Sequence, residues 1–128
     1  MKFTRKASAQ WLGSGKEGKG TLTTASSVLN KTMYSFSTRF EEAAGTNPEE
    51  LVGAAHAGCF AMQLSFLLGA EGFTPDHLNA AATVLFEDGA ITQITLDLEG
   101  KVPGIDVAKF TEIATNAKEI CPISKLLN

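Results

Sequence analysis

A chain of 128 residues can bury a core without disulfide or metal staples, and 44% hydrophobic residues with a net charge of −3 and a pI near 5.3 point to one globular domain, residues 1–128. The acidic balance excludes the basic field that nucleic acid or an anionic membrane surface requires, so neither is an expected partner. No unbroken apolar run occurs in the opening MKFTRKASAQWLGSGKEG, so a cytoplasmic protein is expected. In that reducing compartment Cys59 and Cys121 are read as catalytic, redox or metal-binding residues rather than a structural bridge.

Phe3 to Leu12 reads as a first strand, and Gly13, Gly15, Gly18 and Gly20 form a flexible turn before a second strand, Thr21 to Ser26. Lys31 to Phe40 alternates through Met33, Tyr34, Phe36 and Phe40, which predicts a third strand ending near Arg39. A short polar linker, Glu41 to Thr46, leads to the dominant stretch of the chain, Asn47 to Gly69. Asn47 is a natural N-cap, Pro48 suits the first turn, and Glu49 and Glu50 place negative charge at the positive end of the helix dipole. From Leu51 onward only His56, Gln63 and Ser65 are clearly polar, so this helix is apolar on nearly every side and belongs in an interior. Its length approaches a membrane span, but the two carboxylates, His56, Gln63 and several Gly and Ala residues suit close packing against protein better. Gly69 and Gly72 end it.

Ala80 to Glu87 and Ile91 to Leu98 alternate around Asp88-Gly89, a two-residue hairpin signal. Asp106 caps a last long helix in which Val107, Phe110, Ile113, Ala114 and Ala117 fall at helical spacing, running to about Ile120. Cys121-Pro122 then marks a helix junction. The order βββ-α-ββ-α groups strands and helices in blocks, which argues for an α+β fold with antiparallel sheet.

Two readings of the cysteines stand side by side. Cys59 shares a helical stripe with Val52, Ala55, Met62 and Phe66, as a small buried hydrophobe would, whereas Cys121 sits where helix N–H groups stabilise a thiolate. If the two meet in space, one thiolate is oxidised to a sulfenic acid and the other condenses with it to a disulfide. Arg39 is either an ordinary edge charge or a guanidinium that lowers the Cys59 pKa and stabilises charge on a departing oxygen, held by Glu49 or Glu50. His56, three residues before Cys59, either hydrogen-bonds within the core, polarises the thiol, or joins Cys59 and Cys121 as a metal ligand. A metal-binding module of those three residues, or a non-enzymatic dimeric binding protein, is therefore the alternative to a redox enzyme.

Several fragments together resemble the OsmC/Ohr family of thiol peroxidases, in its OsmC (osmotically inducible protein C) branch. They are GKGTLTTASSVLN (Gly18 to Asn30), YSFSTRFEE (Tyr34 to Glu42), GTNPEELVGAAHAGCFAMQLSFLLG (Gly45 to Gly69), VPGID (Val102 to Asp106) and CPIS (Cys121 to Ser124). The resemblance implies an intertwined homodimer with antiparallel sheets wrapped around two central helices, which reduces organic hydroperoxides more readily than hydrogen peroxide. It makes Cys59 the peroxidatic cysteine, Cys121 the resolving cysteine, and Arg39 with Glu49 the ion pair that activates Cys59. No bound cofactor is implied, only an external dithiol reductant such as a protein-bound lipoyl group. Met33, Phe36 and Phe40, with Phe60 and Met62, are the apolar candidates for substrate contact.

Helix geometry adds a constraint of its own. Ten residues of one helix separate Glu49 from Cys59 by about 15 Å along the axis, so an activating Glu49 is expected from the other subunit. Two features depart from that branch: the tight turn at Glu87 to Ala90 brings Cys121 early, and members continue past the Cys-Pro-x-Ser helix into a final strand. The sequence stops at Leu126, Leu127 and Asn128, so that strand is expected to be missing, leaving a sheet edge or apolar surface uncovered.

Overall fold

The computed structural model describes residues 1–128, which divide into two compact units, residues 1–51 and 52–128. In the N-terminal unit, β1 (Ala7–Leu12), β2 (Lys19–Thr24) and β3 (Thr32–Tyr34) form an antiparallel meander in that order. The first strand begins later than its alternation indicates, because its pairing with β2 starts at Ala7 opposite Thr24 and the preceding segment carries Lys2, Arg5 and Lys6. Gly20 belongs to β2 and not to the turn. It pairs with Trp11 on one side and Tyr34 on the other, and a Cβ there would stand 2.5 Å from the Tyr34 ring and 2.6 Å from Trp11. Only glycine leaves room for those two rings to approach, at 5.5 Å between centroids.

The third predicted strand is corrected: it stops at Tyr34, and Phe36–Phe40 forms a short helix, α1. Ser35 is the reason. Its Oγ accepts the Thr38 N–H at 3.4 Å while its own N–H donates to Thr38 Oγ1 at 2.8 Å, a reciprocal capping box that turns the chain. Phe36 and Phe40, four apart, then stack on one helical face with centroids 5.1 Å apart, a spacing that the alternating pattern had disguised. Arg39 therefore sits on a helix.

Helix α2 (Pro48–Ala70) starts as predicted, with the Glu50 N–H donating to Asn47 Oδ1 at 2.7 Å. It ends at Ala70, within the Gly69 to Gly72 stretch expected to stop it: Gly72 has φ +87°, its N–H donates to Gly69 O at 3.0 Å, and the Phe73 N–H donates to Leu68 O at 2.9 Å. This is a Schellman ending, which needs the left-handed residue that glycine supplies.

The remainder of the C-terminal unit is the hairpin β4 (His77–Glu87) and β5 (Ala90–Lys101), then α3 (Val107–Ile120) and α4 (Pro122–Leu127), the last element. Asp88 and Gly89 both have positive φ, 51° and 82°, as the tight hairpin turn requires. Alternate residues of β4 and β5 turn inward, among them Leu78, Ala80, Leu96 and Leu98. They pack against a buried cluster of Phe60, Leu64 and Leu68 from α2, Ile113 and Ala117 from α3, and Cys121. Gly53 brings α2 close to β4, since a Cβ there would lie 3.1 Å from Val84 Cγ2. The architecture is α+β with antiparallel sheets.

One expectation about α2 changes. Only Gly53, His56, Phe60, Leu64 and Leu68 are buried, so the helix buries one face, whereas Ala55, Gly58, Met62 and Phe66 on the other are exposed in the single chain. By length and composition alone α2 could also cross a membrane.

Candidate active site

Cys121 is placed by backbone chemistry. Preceding Pro122, it is pushed out of the helical region to φ −57° and ψ 125°, which ends α3 and lets α4 begin with proline in its first turn. The side chain is fully buried, and its sulfur lies 2.8 Å from that of half-buried Cys59 on α2, with both thiols free. Residues 62 positions apart thus share one hydrogen bond at the centre of the unit.

The two sulfurs differ in what surrounds them. Burial pushes the Cys59 thiol up, the contact with Cys121 pushes it further, and the Ile123 N–H opposes only in part. Burial also pushes Cys121 up, but there the contact with Cys59, the N–H and hydroxyl of Ser124, and the Ile123 N–H outweigh it, so the net shift is downward. Within one chain the negative charge of the pair therefore settles on Cys121, because the open N–H groups that begin α4 favour it. Cys59 has only the Ile123 N–H on that side, which does not offset its burial.

His56, one turn before Cys59, is 6% exposed, and its Nε2 lies 2.8 Å from Ser124 Oγ, itself 7% exposed. It is a hydrogen-bonded core residue. No group of three or more His, Cys, Asp or Glu side chains is arranged to hold a metal ion, so His56, Cys59 and Cys121 lack the convergence that the metal-binding alternative requires.

The N-terminal unit holds the other two candidates together. Arg39 Nε donates to Glu49 Oε1 at 2.9 Å, with the guanidinium 39% and the carboxylate 14% exposed. Glu50 is otherwise engaged, accepting from Thr46 Oγ1 at 2.9 Å. Asn47 Nδ2 donates to Thr38 O at 3.1 Å, fixing α1 to the start of α2 and so bringing Arg39 and Glu49 within reach. The Arg39 guanidinium lies 5.0 Å over the Phe40 ring, and only its Nε is used by Glu49.

Arg39 also borders a hollow of about 500 Å³ walled by Trp11, Tyr34, Phe36 and Phe40. Phe36 and Phe40 line this hollow, whereas Met33 is exposed and outside it, Phe60 is in the core, and Met62 is on the exposed face of α2. The sequence reading gave no site role to Trp11, Tyr34 or Ser124. The first two were detectable only through their shared register against Gly20, and Ser124 through its place three residues after Cys121, where a helix-start side chain turns back on the residue before the helix.

Residues 41–128 match the OsmC family, described as OsmC-like protein. Peroxiredoxin OsmC of Escherichia coli strain K12 is 50% identical over 131 aligned residues, covering 99% of this chain and 92% of that protein. Among solved structures, the organic hydroperoxide resistance protein OhrB of Bacillus subtilis superposes with a TM-score of 0.67 at 26% identity, covering 97% of this chain and 90% of that one. An OsmC-like protein from Mycoplasma pneumoniae, at 16% identity, shares the fold with a TM-score of 0.75 over 99% of this chain and 89% of its own.

Proposed function

This chain belongs to the OsmC family and is a thiol-dependent peroxidase, and we propose that Cys59 attacks the peroxide, Cys121 resolves the product, and the substrate is an alkyl or aryl hydroperoxide. The observation that carries this reading is the 2.8 Å approach of the two free sulfurs. The Cys59 thiolate attacks the terminal peroxide oxygen, the O–O bond breaks, and the alcohol leaves after its alkoxide is protonated. Cys121 then attacks the Cys59 sulfenic acid, the S–O bond breaks, water leaves, and a disulfide closes. An external dithiol, for which a protein-bound lipoyl group is the candidate in the cytoplasm, reopens it by exchange.

Cys59 needs a cation that its own unit does not supply, and Arg39 with Glu49 is the pair suited to provide it. Since Glu49 begins the helix that carries Cys59 about 15 Å further along its axis, the activating pair comes from the partner subunit's Arg39 and Glu49 in a homodimer. Two observations support that assembly. The exposed stripe Ala55, Gly58, Met62 and Phe66 on α2 offers small and apolar residues for close helix packing, and the N-terminal unit buries no large side chain of its own. Phe36 and Phe40 favour an organic tail over hydrogen peroxide, with the exposed Met33 adding apolar surface nearby.

Titration of reduced protein with one equivalent of cumene hydroperoxide tests the core of the proposal. Loss of two thiols per chain is the expected result; retention of both leaves only the non-enzymatic dimer.

A further inference from the structure

The hollow beside Arg39 is bordered by more positive charge than the peroxide chemistry uses. Lys16 stands at its edge as well, and no aspartate or glutamate lines it. Lys16 is exposed and has no ion-pair partner, and Arg39 gives only its Nε to Glu49. In a chain whose net charge is −3, two cations therefore border one aromatic hollow. We propose that this hollow selects organic hydroperoxides carrying a carboxylate at the end remote from the O–O bond, and that Lys16 is the residue that reads that carboxylate. The proposal rests on the peroxidase reading given above and names its substrate class.

Local chemistry fixes where Lys16 stands. The turn between β1 and β2 is tied together at Ser14, whose carbonyl accepts the Gly18 N–H at 2.8 Å and the Trp11 Nε1–H at 3.1 Å, while its hydroxyl accepts the Glu17 N–H at 3.1 Å. A Cβ on Gly18 would collide with the carbonyls of Leu12 and Ser14, so glycine lets the turn close this tightly. Gly15 and Lys16, inside that closed turn, both border the hollow. The lysine is thus carried by a hydrogen-bonded turn that is itself joined to the Trp11 ring, one wall of the site.

Rings and cations divide the recognition between them. Aromatic walls around about 500 Å³ suit the flat apolar body of an aryl hydroperoxide. Glu49 already neutralises one edge of Arg39, whereas Lys16 has no counter-ion, so a carboxylate on the substrate is drawn to Lys16 and leaves the guanidinium to the peroxide end. The ammonium is exposed, so water and salt screen the pair, and its effect on substrate preference is about two- to fivefold rather than several orders of magnitude. Lys16 is accordingly a specificity residue and takes no part in breaking the O–O bond.

Cumene hydroperoxide and its para-carboxy derivative differ only in the charged group, so the ratio of their kcat/KM values isolates it. At low salt the parental protein should favour the carboxylated substrate about two- to fivefold, through KM rather than kcat, and the preference should shrink in about 0.5 M sodium chloride. Lys16→Gln should bring the ratio to about one and Lys16→Glu should invert it, while Lys101→Gln, which removes the same charge from the β4–β5 hairpin, should keep the parental ratio. Binding is read without turnover, because Trp11 is the single tryptophan and lines the hollow. Titration with the para-carboxylate of cumyl alcohol, followed by Trp11 fluorescence, should show Lys16→Gln binding it about two- to fivefold more weakly, a larger loss than for cumyl alcohol itself. Equal kcat/KM for the two hydroperoxides in the parental protein, a preference that survives Lys16→Gln, or carboxylate binding that Lys16→Gln does not weaken overturns the assignment. Retention of both thiols after cumene hydroperoxide instead overturns the peroxidase reading, and the fluorescence titration then still decides the role of Lys16.

Discussion

The two compact units solve opposite problems. The C-terminal unit, residues 52–128, contains every buried large hydrophobic side chain, and its sulfur pair sits inside that core. In the N-terminal unit only Gly20 is buried, β1 is exposed along its whole length, and the Arg39–Glu49 pair lies beside a hollow rather than within a core. The proposed resolving step needs two sulfurs held at a fixed distance, which burial provides. The proposed activation and substrate entry need a guanidinium with nitrogens to spare and a hollow that an organic tail can enter, which openness provides. The contrast teaches that one half holds the buried core and the other presents charge and surface, so the same substitution strategy should have different consequences in each.

The largest expected effect tests whether the open half serves the buried one. Arg39→Ala should lower kcat/KM for cumene hydroperoxide about a hundredfold by removing charge stabilisation, with little change in the denaturation midpoint. Mixing Cys59→Ser chains with Arg39→Ala chains should return activity, because each mixed dimer rebuilds one intact site. No recovery after confirmed subunit exchange would break the shared-site reading. Within the buried half, Leu64→Ala empties a fully buried position and should cost about 2–5 kcal/mol in denaturant unfolding. Thiol loss per equivalent of hydroperoxide should persist wherever that variant is folded.

A smaller effect is expected at Gly20. An added Cβ would press on Tyr34 and Trp11, costing about 1–3 kcal/mol and reshaping the hollow, so Gly20→Ala should raise KM for a bulky hydroperoxide more than for hydrogen peroxide. The smallest effect is a pH dependence of the buried half. With the folded pKa of His56 held below the ordinary histidine value of 6.5 by burial and by Lys118, the unfolded chain takes up the proton first on acidification. That contribution to stability is intact above about pH 6.5 and is lost as the pH falls toward the folded value. Thermal midpoints between pH 7.5 and 5.5 should therefore fall on the acid side, and His56→Gln should shallow the decline.

Much of this architecture was legible from neighbouring residues. Asn47, Pro48, Glu49 and Glu50 announce the start of α2, Asp106 that of α3, and Asp88-Gly89 the hairpin, because caps and tight turns depend on atoms only a few residues apart. The same locality explains the one misplaced element. Phe36 and Phe40 fit a strand or a helix equally well, and the choice fell to the Ser35–Thr38 capping box, a weaker variant of the usual serine-to-glutamate pair. The apolar circumference of α2 was plain, but which face is buried was not, since that depends on where β4, β5 and α3 lie.

The candidate residues were visible as residue types in suggestive places, and motif resemblance assigned them roles. Sequence by itself determined that two thiols, Arg39 and the neighbouring Glu49 and Glu50 were available, and that a proline would break the chain directly after Cys121. Tertiary structure decided that Cys121 meets Cys59, that Glu49 and not Glu50 holds Arg39, and that His56 reaches Ser124 across 68 residues. The reason is one of range: a helix cap is written in four consecutive residues, whereas the distance between two sulfurs is set by the packing of every side chain between the helices that carry them.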